Sequence, residues 1–319
     1  MLILALDFGG TKHTAGSLVP GESQWRGQEQ VFSPPDADAR YDLETMIGLA
    51  RRLLDGAQPA AVGVSFGGPV DFSSGIVRLS HHVPGWENTP LGWILEQEFK
   101  APASVDNDAN VAALGEYRFG AGQGYQSLLY ITISTGVGGG WILNGNIWRG
   151  SDGMAGEIGH MSIEPQGPRC LCGKRGCVER LASGPYLAQD ARQMLAENPE
   201  HGQILLQLCV GKPQAIDGRL ISQAAAQGDR IAASLLERSA WALGVGIGNA
   251  ANLVNPQRFV LGGGVTKSGE GWWQQVRTAA CQTALPEVQF DIVPAALGDD
   301  APLWGAAALA ETLTKRYGT

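Results

Sequence analysis

Two carboxylates and two amides crowd into VDNDAN (105–110), at the end of an expected strand. Asp or Asn there can cap a helix by accepting its first free N–H groups, and capping alone would account for the residues. The same carboxylates suit a second task, taking the proton of a substrate hydroxyl as it attacks a phosphoryl group. Asn107 would then be the hydrogen-bonding neighbour that holds the substrate. Downstream, AGEIGH (155–160) and CVE (177–179) bring Glu157, His160 and Glu179 next to small residues and a cysteine cluster. A merely solvated face has no need of that setting.

The cysteine cluster is CLCGKRGC (170–177), with Cys170, Cys172 and Cys177. Three thiolates and the His160 imidazole match a tetrahedral Cys₃His zinc site. Gly173 and Gly176 would let the short loop fold back around the ion. The set is closed, so this zinc is expected to be structural. A local disulfide or free thiols are the competing readings, and a reducing compartment favours the metal. Cys209 and Cys281 fall in helical stretches and read as core thiols.

Glycine supplies 45 of 319 residues, and much of it lies in clusters where backbone can approach a ligand closely. DFGGTK (7–12) offers backbone N–H groups, the Thr11 hydroxyl and the Lys12 charge to an anion, although a plain hairpin turn would use the same glycines. It lacks the GxxxxGK[ST] spacing of a P-loop. STGVGGG (134–140) repeats the logic, with a glycine-rich hairpin loop as the plain alternative, and LGGGV (261–265) either leaves room for a planar ring or is a crowded strand-to-helix turn. GVGIG (244–248) lies inside a helical run and reads as a packing surface.

The elements that must carry these residues follow from periodicity. Residues 2–6 and 15–19 form a hairpin around the first glycine turn, and 127–150 forms another around the second. Helices are expected at 41–55, with Leu43, Ile47, Ala50 and Leu54 on one face, and at 91–100, 185–198, 217–229, about 230–253 and 302–316. Strands are expected at 60–66, from 103 and at 255–265. Strands alternating with helices make an α/β protein with partly parallel sheets, and the repeated hairpin device suggests a duplicated fold with a cleft between its halves. A net charge of −8 argues against nucleic-acid binding, and no apolar run is long enough to span a membrane as a helix. The first residues carry no basic n-region, so a cytoplasmic setting is expected.

DFGGTK, VDNDAN, STGVGGG, AGEIGH and CLCGKRGC followed by Val178-Glu179 stand in one order along nearly the whole chain. In this they resemble the ROK family (repressors, open reading frames, kinases). The resemblance implies an actin-like, hexokinase-type ATPase fold of two α/β domains, with ATP and sugar in the interdomain cleft. It places the smaller domain at 1–118 plus 301–319 and the larger, zinc-carrying one at 119–300. It implies ATP-dependent phosphorylation of a hexose, glucose at the 6-hydroxyl first. N-acetylmannosamine, N-acetylglucosamine and fructose are the other substrates to weigh, and Mg²⁺ is expected with the ATP. Asp108 matches the catalytic base, and Gly68, Asn107, Glu157, His160 and Glu179 match sugar contacts. Asp7, Gly9, Gly10, Thr11 and Lys12 match the first phosphate loop, Thr135 and Gly136 the second, and Gly262, Gly263 and Gly264 the adenosine side. Two places depart from the family pattern: Ser65-Phe66-Gly67-Gly68 lacks a proline, and His81-His82 precede PGWENTPL. A homodimer is implied. The rival from another class, a sugar-responsive regulator, would need a helix-turn-helix ahead of Asp7.

Overall fold

The computed structural model describes residues 1–80 and 82–317, so His81 lies outside the described residues. In chain order the strands are β1 (Ile3–Phe8), β2 (Lys12–Leu18), β3 (Gly27–Phe32), β4 (Val62–Phe66), β5 (Val70–Asp71) and β6 (Ile76–Val77). They continue with β7 (Ala103–Asn107), β8 (Ser127–Ile133), β9 (Val137–Leu143), β10 (Asn146–Trp148), β11 (Arg258–Gly262) and β12 (Asp291–Pro294). The helices are α1 (Ala39–Leu54), α2 (Leu91–Phe99), α3 (Asp108–Phe119), α4 (Val178–Ala182) and α5 (Gly184–Glu197). After them come α6 (Gln203–Leu208), α7 (Gly218–Ala226), α8 (Arg230–Val254), α9 (Glu270–Thr283) and α10 (Ala301–Tyr317). Two compact units result: Met1–Tyr130 with Gly140–Ala155 and Ala295–Thr319, and Ile131–Gly139 with Gly156–Pro294.

The first unit is built on a five-stranded sheet ordered β3-β2-β1-β4-β7. β1 and β2 form the expected antiparallel hairpin, while β1, β4 and β7 run parallel. Every residue of β1 and β4 is buried, which suits a strand covered on both faces. α1 buries Met46, Leu49, Ala50 and Leu54, with Leu43 and Ile47 packed partly buried against the same core. α10 lies on β4 so closely that a Cβ at Gly63 would meet the Ala306 carbonyl oxygen at 1.8 Å. α3 packs on α10 through Gly115 and Gly305, and a Cβ at Gly305 would fall 1.7 Å from the Val111 oxygen. Backbone contact of this kind is available to glycine alone.

The second sheet is ordered β10-β9-β8-β11-β12. In the second unit α8 packs along α9. Gly244 and Gly248 face Ala279 and Thr283 of α9, as the packing reading of GVGIG expects. α9 and β12 carry no expectation from periodicity, and neither does β3. Cys209 is buried as expected, but Cys281 is exposed and is not a core thiol. The buried positions of α9 are Trp272, Trp273, Val276, Ala279 and Ala280, and residue 281 rotates off that stripe.

Candidate functional site

In the first unit, three parallel strand ends carry the polar residues. Strand register sets Asp7, Ser65 and Asp106 in one row, and Phe8, Phe66 and Asn107 in the next. Ligands of open α/β sheets gather beyond such carboxyl ends. Asp7 is buried and accepts a 2.8 Å hydrogen bond from Ser65 Oγ. Burial, with a contribution from the Asp108 charge, pushes its carboxyl up to about 6. The turn after β1 closes on itself, Gly9 N–H donating to the Lys12 carbonyl at 3.1 Å. Gly10 and Thr11 are exposed at its tip. Gly10 sits against His82, which leaves a Cβ there only 3.2 Å from the His82 Cβ.

Asn107 caps α3, its Oδ1 accepting the Ala109 N–H at 3.0 Å, so the capping expectation holds. Its Nδ2 donates to the Gly68 carbonyl at 3.1 Å, which ties the strand end of β7 to the loop after β4. Asp108 follows as the first residue of α3, its side chain about 3.9 Å from where a Gly67 Cβ would stand. Desolvation holds its carboxyl above the ordinary carboxylate range, the pattern expected of a proton acceptor. Asp106 beside it is buried and paired with Arg149, with Nη2 at 2.7 Å and Nε at 2.8 Å from Oδ2. The other oxygen of Asp106 accepts the Asn107 N–H at 2.8 Å. Arg149 in turn stacks on the Phe72 ring at 3.5 Å. Sequence reasoning assigned nothing to Arg149. A basic residue directly after a strand that returns to the VDNDAN region would have been the signal.

In the second unit, Glu157 and His160 flank Gly159, whose backbone meets Val137, and Glu179 bonds to the loop 134–137 itself. Gly159 lets the AGEIGH backbone meet β9, where a Cβ would stand 2.0 Å from the Val137 oxygen. His160 Nε2 lies 3.9 Å from Glu157 Oε2, while its Nδ1 is buried with no hydrogen-bond partner. Glu179 Oε2 accepts the Val137 N–H at 3.0 Å.

One ring nitrogen of His160 and the sulfurs of Cys170, Cys172 and Cys177 lie within 4.8 Å of one another. The loop folds back as its glycines predict, with φ of +89° at Gly173 and +58° at Gly176. Burial pushes the Cys177 thiol up to about 12, whereas the Lys174 backbone N–H lowers Cys172. Three sulfurs this close can share one cation, which would hold them as thiolates, and the buried His160 Nδ1 has no hydrogen-bond partner. The set fits zinc with four ligands and no open position.

A cavity of about 920 Å³ in the second unit is lined by Thr135, Pro185, Arg192, Ser222, Gly264 and Lys267, among others. Gly264 is thus at the cavity, while Gly262 is buried in β11. Gly263 (φ +91°) makes the close turn, with a Cβ there 2.4 Å from the Ile133 oxygen. Arg192 and Ser222 stand on α5 and α7. Only the folding of distant segments brings them to the glycines, and no local motif marks them.

The ROK family matches residues 3–313. The chain belongs to the ROK family. A glucokinase of Streptomyces coelicolor is 36% identical over 313 residues, covering 97% of each chain. An N-acetylmannosamine kinase of Shigella boydii is 33% identical over 311 residues, covering 98% of this chain and 99% of the other. A ROK family glucokinase of Streptomyces griseus, solved in complex with glucose and AMPPNP, is 36% identical with a TM-score of 0.83, covering 98% of this chain and 100% of that one. The two sheets and their helices are accordingly the actin-like ATPase fold of ROK sugar kinases. Among the described residues, no helix is long and apolar enough to cross a membrane.

Proposed function

We propose that this ROK protein is an ATP-dependent hexose kinase that phosphorylates glucose at its 6-hydroxyl. The observation that carries the reading is Asp108. It is a desolvated carboxylate at a parallel strand end, beside an amide locked in place by the Gly68 carbonyl. Full-length likeness to glucokinases supports the same conclusion.

Asp108 takes the proton of the sugar hydroxyl as that oxygen attacks the γ-phosphorus, and ADP leaves in line. Gly68, Asn107, Glu157, His160 and Glu179 bind the sugar. Asp7, Gly9, Gly10, Thr11 and Lys12 form one phosphate-binding turn, and Thr135 with Gly136 the other. Adenosine enters the cavity of the second unit, lined by Gly264, Arg192 and Lys267, with Gly262 and Gly263 carrying the chain from β11 to that wall. Asp7 is the acidic group of that turn and would face the Mg²⁺ carried by ATP, which would supply screening of the phosphate charge. His160, Cys170, Cys172 and Cys177 would hold a zinc ion, which would tie the cysteine segment together. The enzyme works in the cytoplasm, as a homodimer that light scattering on the purified protein would detect.

A coupled ADP-release assay over glucose, mannose, fructose, N-acetylmannosamine and N-acetylglucosamine tests the reading. Glucose is expected to give the highest kcat/KM. An N-acetylated sugar ahead by more than about tenfold, roughly 1.4 kcal/mol of transition-state preference, would replace glucose and keep the kinase. That outcome is the second reading, favoured by the N-acetylmannosamine kinase relative. Absence of ADP release with every sugar would reject the enzyme and leave a non-catalytic sugar binder or regulator.

A further inference from the structure

The glycine loop 134–137 is held at both ends by one short segment. Val137 donates its N–H to Glu179 Oε2 at 3.0 Å, and Gly184 donates its N–H to the Ser134 carbonyl at 2.9 Å. Within the loop Ser134 N–H donates to the Gly136 carbonyl at 2.9 Å. The clamping segment runs from Cys177 through α4 to the start of α5, and the Ser183 N–H returns to the Glu179 carbonyl at 3.0 Å. Gly136 has been fitted around the same carboxylate, for a Cβ there would stand 2.8 Å from Glu179 Oε2. Ser134, Thr135, Gly184 and Pro185 all line the 920 Å³ cavity, so the clamp and the cavity wall are the same backbone.

We infer that Glu179 is a positioning residue for the nucleotide as well as a sugar contact: its carboxylate fixes the loop 134–137 in the shape that the cavity presents to ATP. The inference rests on the kinase reading above. Its physical content is that a glycine-rich loop without this bond has many backbone states open to it, and binding must then select one of them. The Val137 N–H is spent on that bond and is not a phosphate donor. Because one carboxylate serves both ligands, a sugar hydroxyl that donates to Glu179 acts on the loop's anchor, and linkage requires the effect to be reciprocal.

The test titrates the full chain with AMPPNP and Mg²⁺ in the absence of any sugar, by calorimetry. Glu179→Ala is expected to weaken AMPPNP by about threefold to tenfold, the loss of one net hydrogen bond. Glu179→Gln keeps an oxygen for the Val137 N–H and is expected to stay within about twofold of the parent, whatever it does to sugar turnover. Should Glu179→Ala fail to fold, Glu179→Asp, one methylene short of Val137, carries the same expectation of weaker AMPPNP. A residue that touched sugar alone would leave sugar-free AMPPNP affinity unmoved in every variant, and that result overturns the inference. If the parent protein itself does not bind AMPPNP, the kinase reading fails instead, so the two failures are distinguishable.

Discussion

At the residue scale the desolvated carboxylates Asp108 and Asp7 set opposite demands. As the proposed base, Asp108 must be ionised to accept a proton, and desolvation raises its pKa. Catalytic efficiency is therefore expected to fall on the acid side, with an apparent pKa above the ordinary carboxylate range, in a pH profile of kcat/KM. Asp108→Asn should keep glucose affinity in a binding titration while kcat drops by at least about 10², the low end for losing a general base. Asp7 gives a stability prediction of opposite sign to its activity. Its carboxyl, at about 6, binds a proton more tightly in the folded than in the unfolded chain. Its contribution is thus fully present at low pH and is lost as pH rises through about 6, a loss of order 3 kcal/mol. Asp7→Asn keeps an acceptor for Ser65 but carries no charge. It should raise Tm by a few degrees at pH 8 and by nothing at pH 4, and turnover should fall. Equal shifts at both pH values in a melting series would show that burial of charge is not the cause.

At the scale of elements, close backbone approach and one ion pair hold the site in register. α3 begins at Asp108, and its placement depends on α10 through Gly115 and Gly305. Gly305→Ala puts a methyl into the Val111 carbonyl, where no side chain can yield. The expected loss exceeds the roughly 1–3 kcal/mol of ordinary overpacking, measured by urea unfolding of soluble protein. Arg149 ties the segment after β10 to the end of β7 through Asp106, whose second oxygen holds the Asn107 N–H. Arg149→Met leaves Asp106 buried and unpaired, at a cost of about 3–5 kcal/mol. Adding Asp106→Asn to that variant should recover part of the stability. Turnover should fall more than sugar affinity, because Asp106 steadies the backbone next to the base rather than the sugar itself.

For the whole molecule, the zinc cluster is where stability and activity meet. The cysteine segment leads directly into Glu179 and the clamp on the glycine loop. One zinc per chain is expected by elemental analysis, released by a chelator together with reactive thiols. Structural zinc supplies folding free energy of about 10–16 kcal/mol in small peptides. If only a fifth of that holds here, Tm should fall by about 3–5 °C on removal. A protein with no zinc and an unchanged melting temperature would remove the metal from the fold.

How much of this was readable in advance depends on the range of each interaction. The hairpins, the α1 stripe, the Asn107 cap and the Cys₃His set are local or compositional: period, turn chemistry and residue type specify them within a few residues. The order of five such motifs was enough to indicate the family. Across the sheet the chain gave no such guidance. Asp7, Ser65 and Asp106 are neighbours because parallel strands separated by whole helices meet in one register. Arg149 reaches Asp106 across 43 positions. Segments that carry no shared pattern assemble the cavity of the second unit, and Cys281 faces solvent because of the rotation of one helix. Glycine shows the division most clearly, since its presence at 63, 136, 159 and 305 is plain in the sequence. What each makes room for is another backbone or a carboxylate far along the chain, and only packing decides which one arrives there.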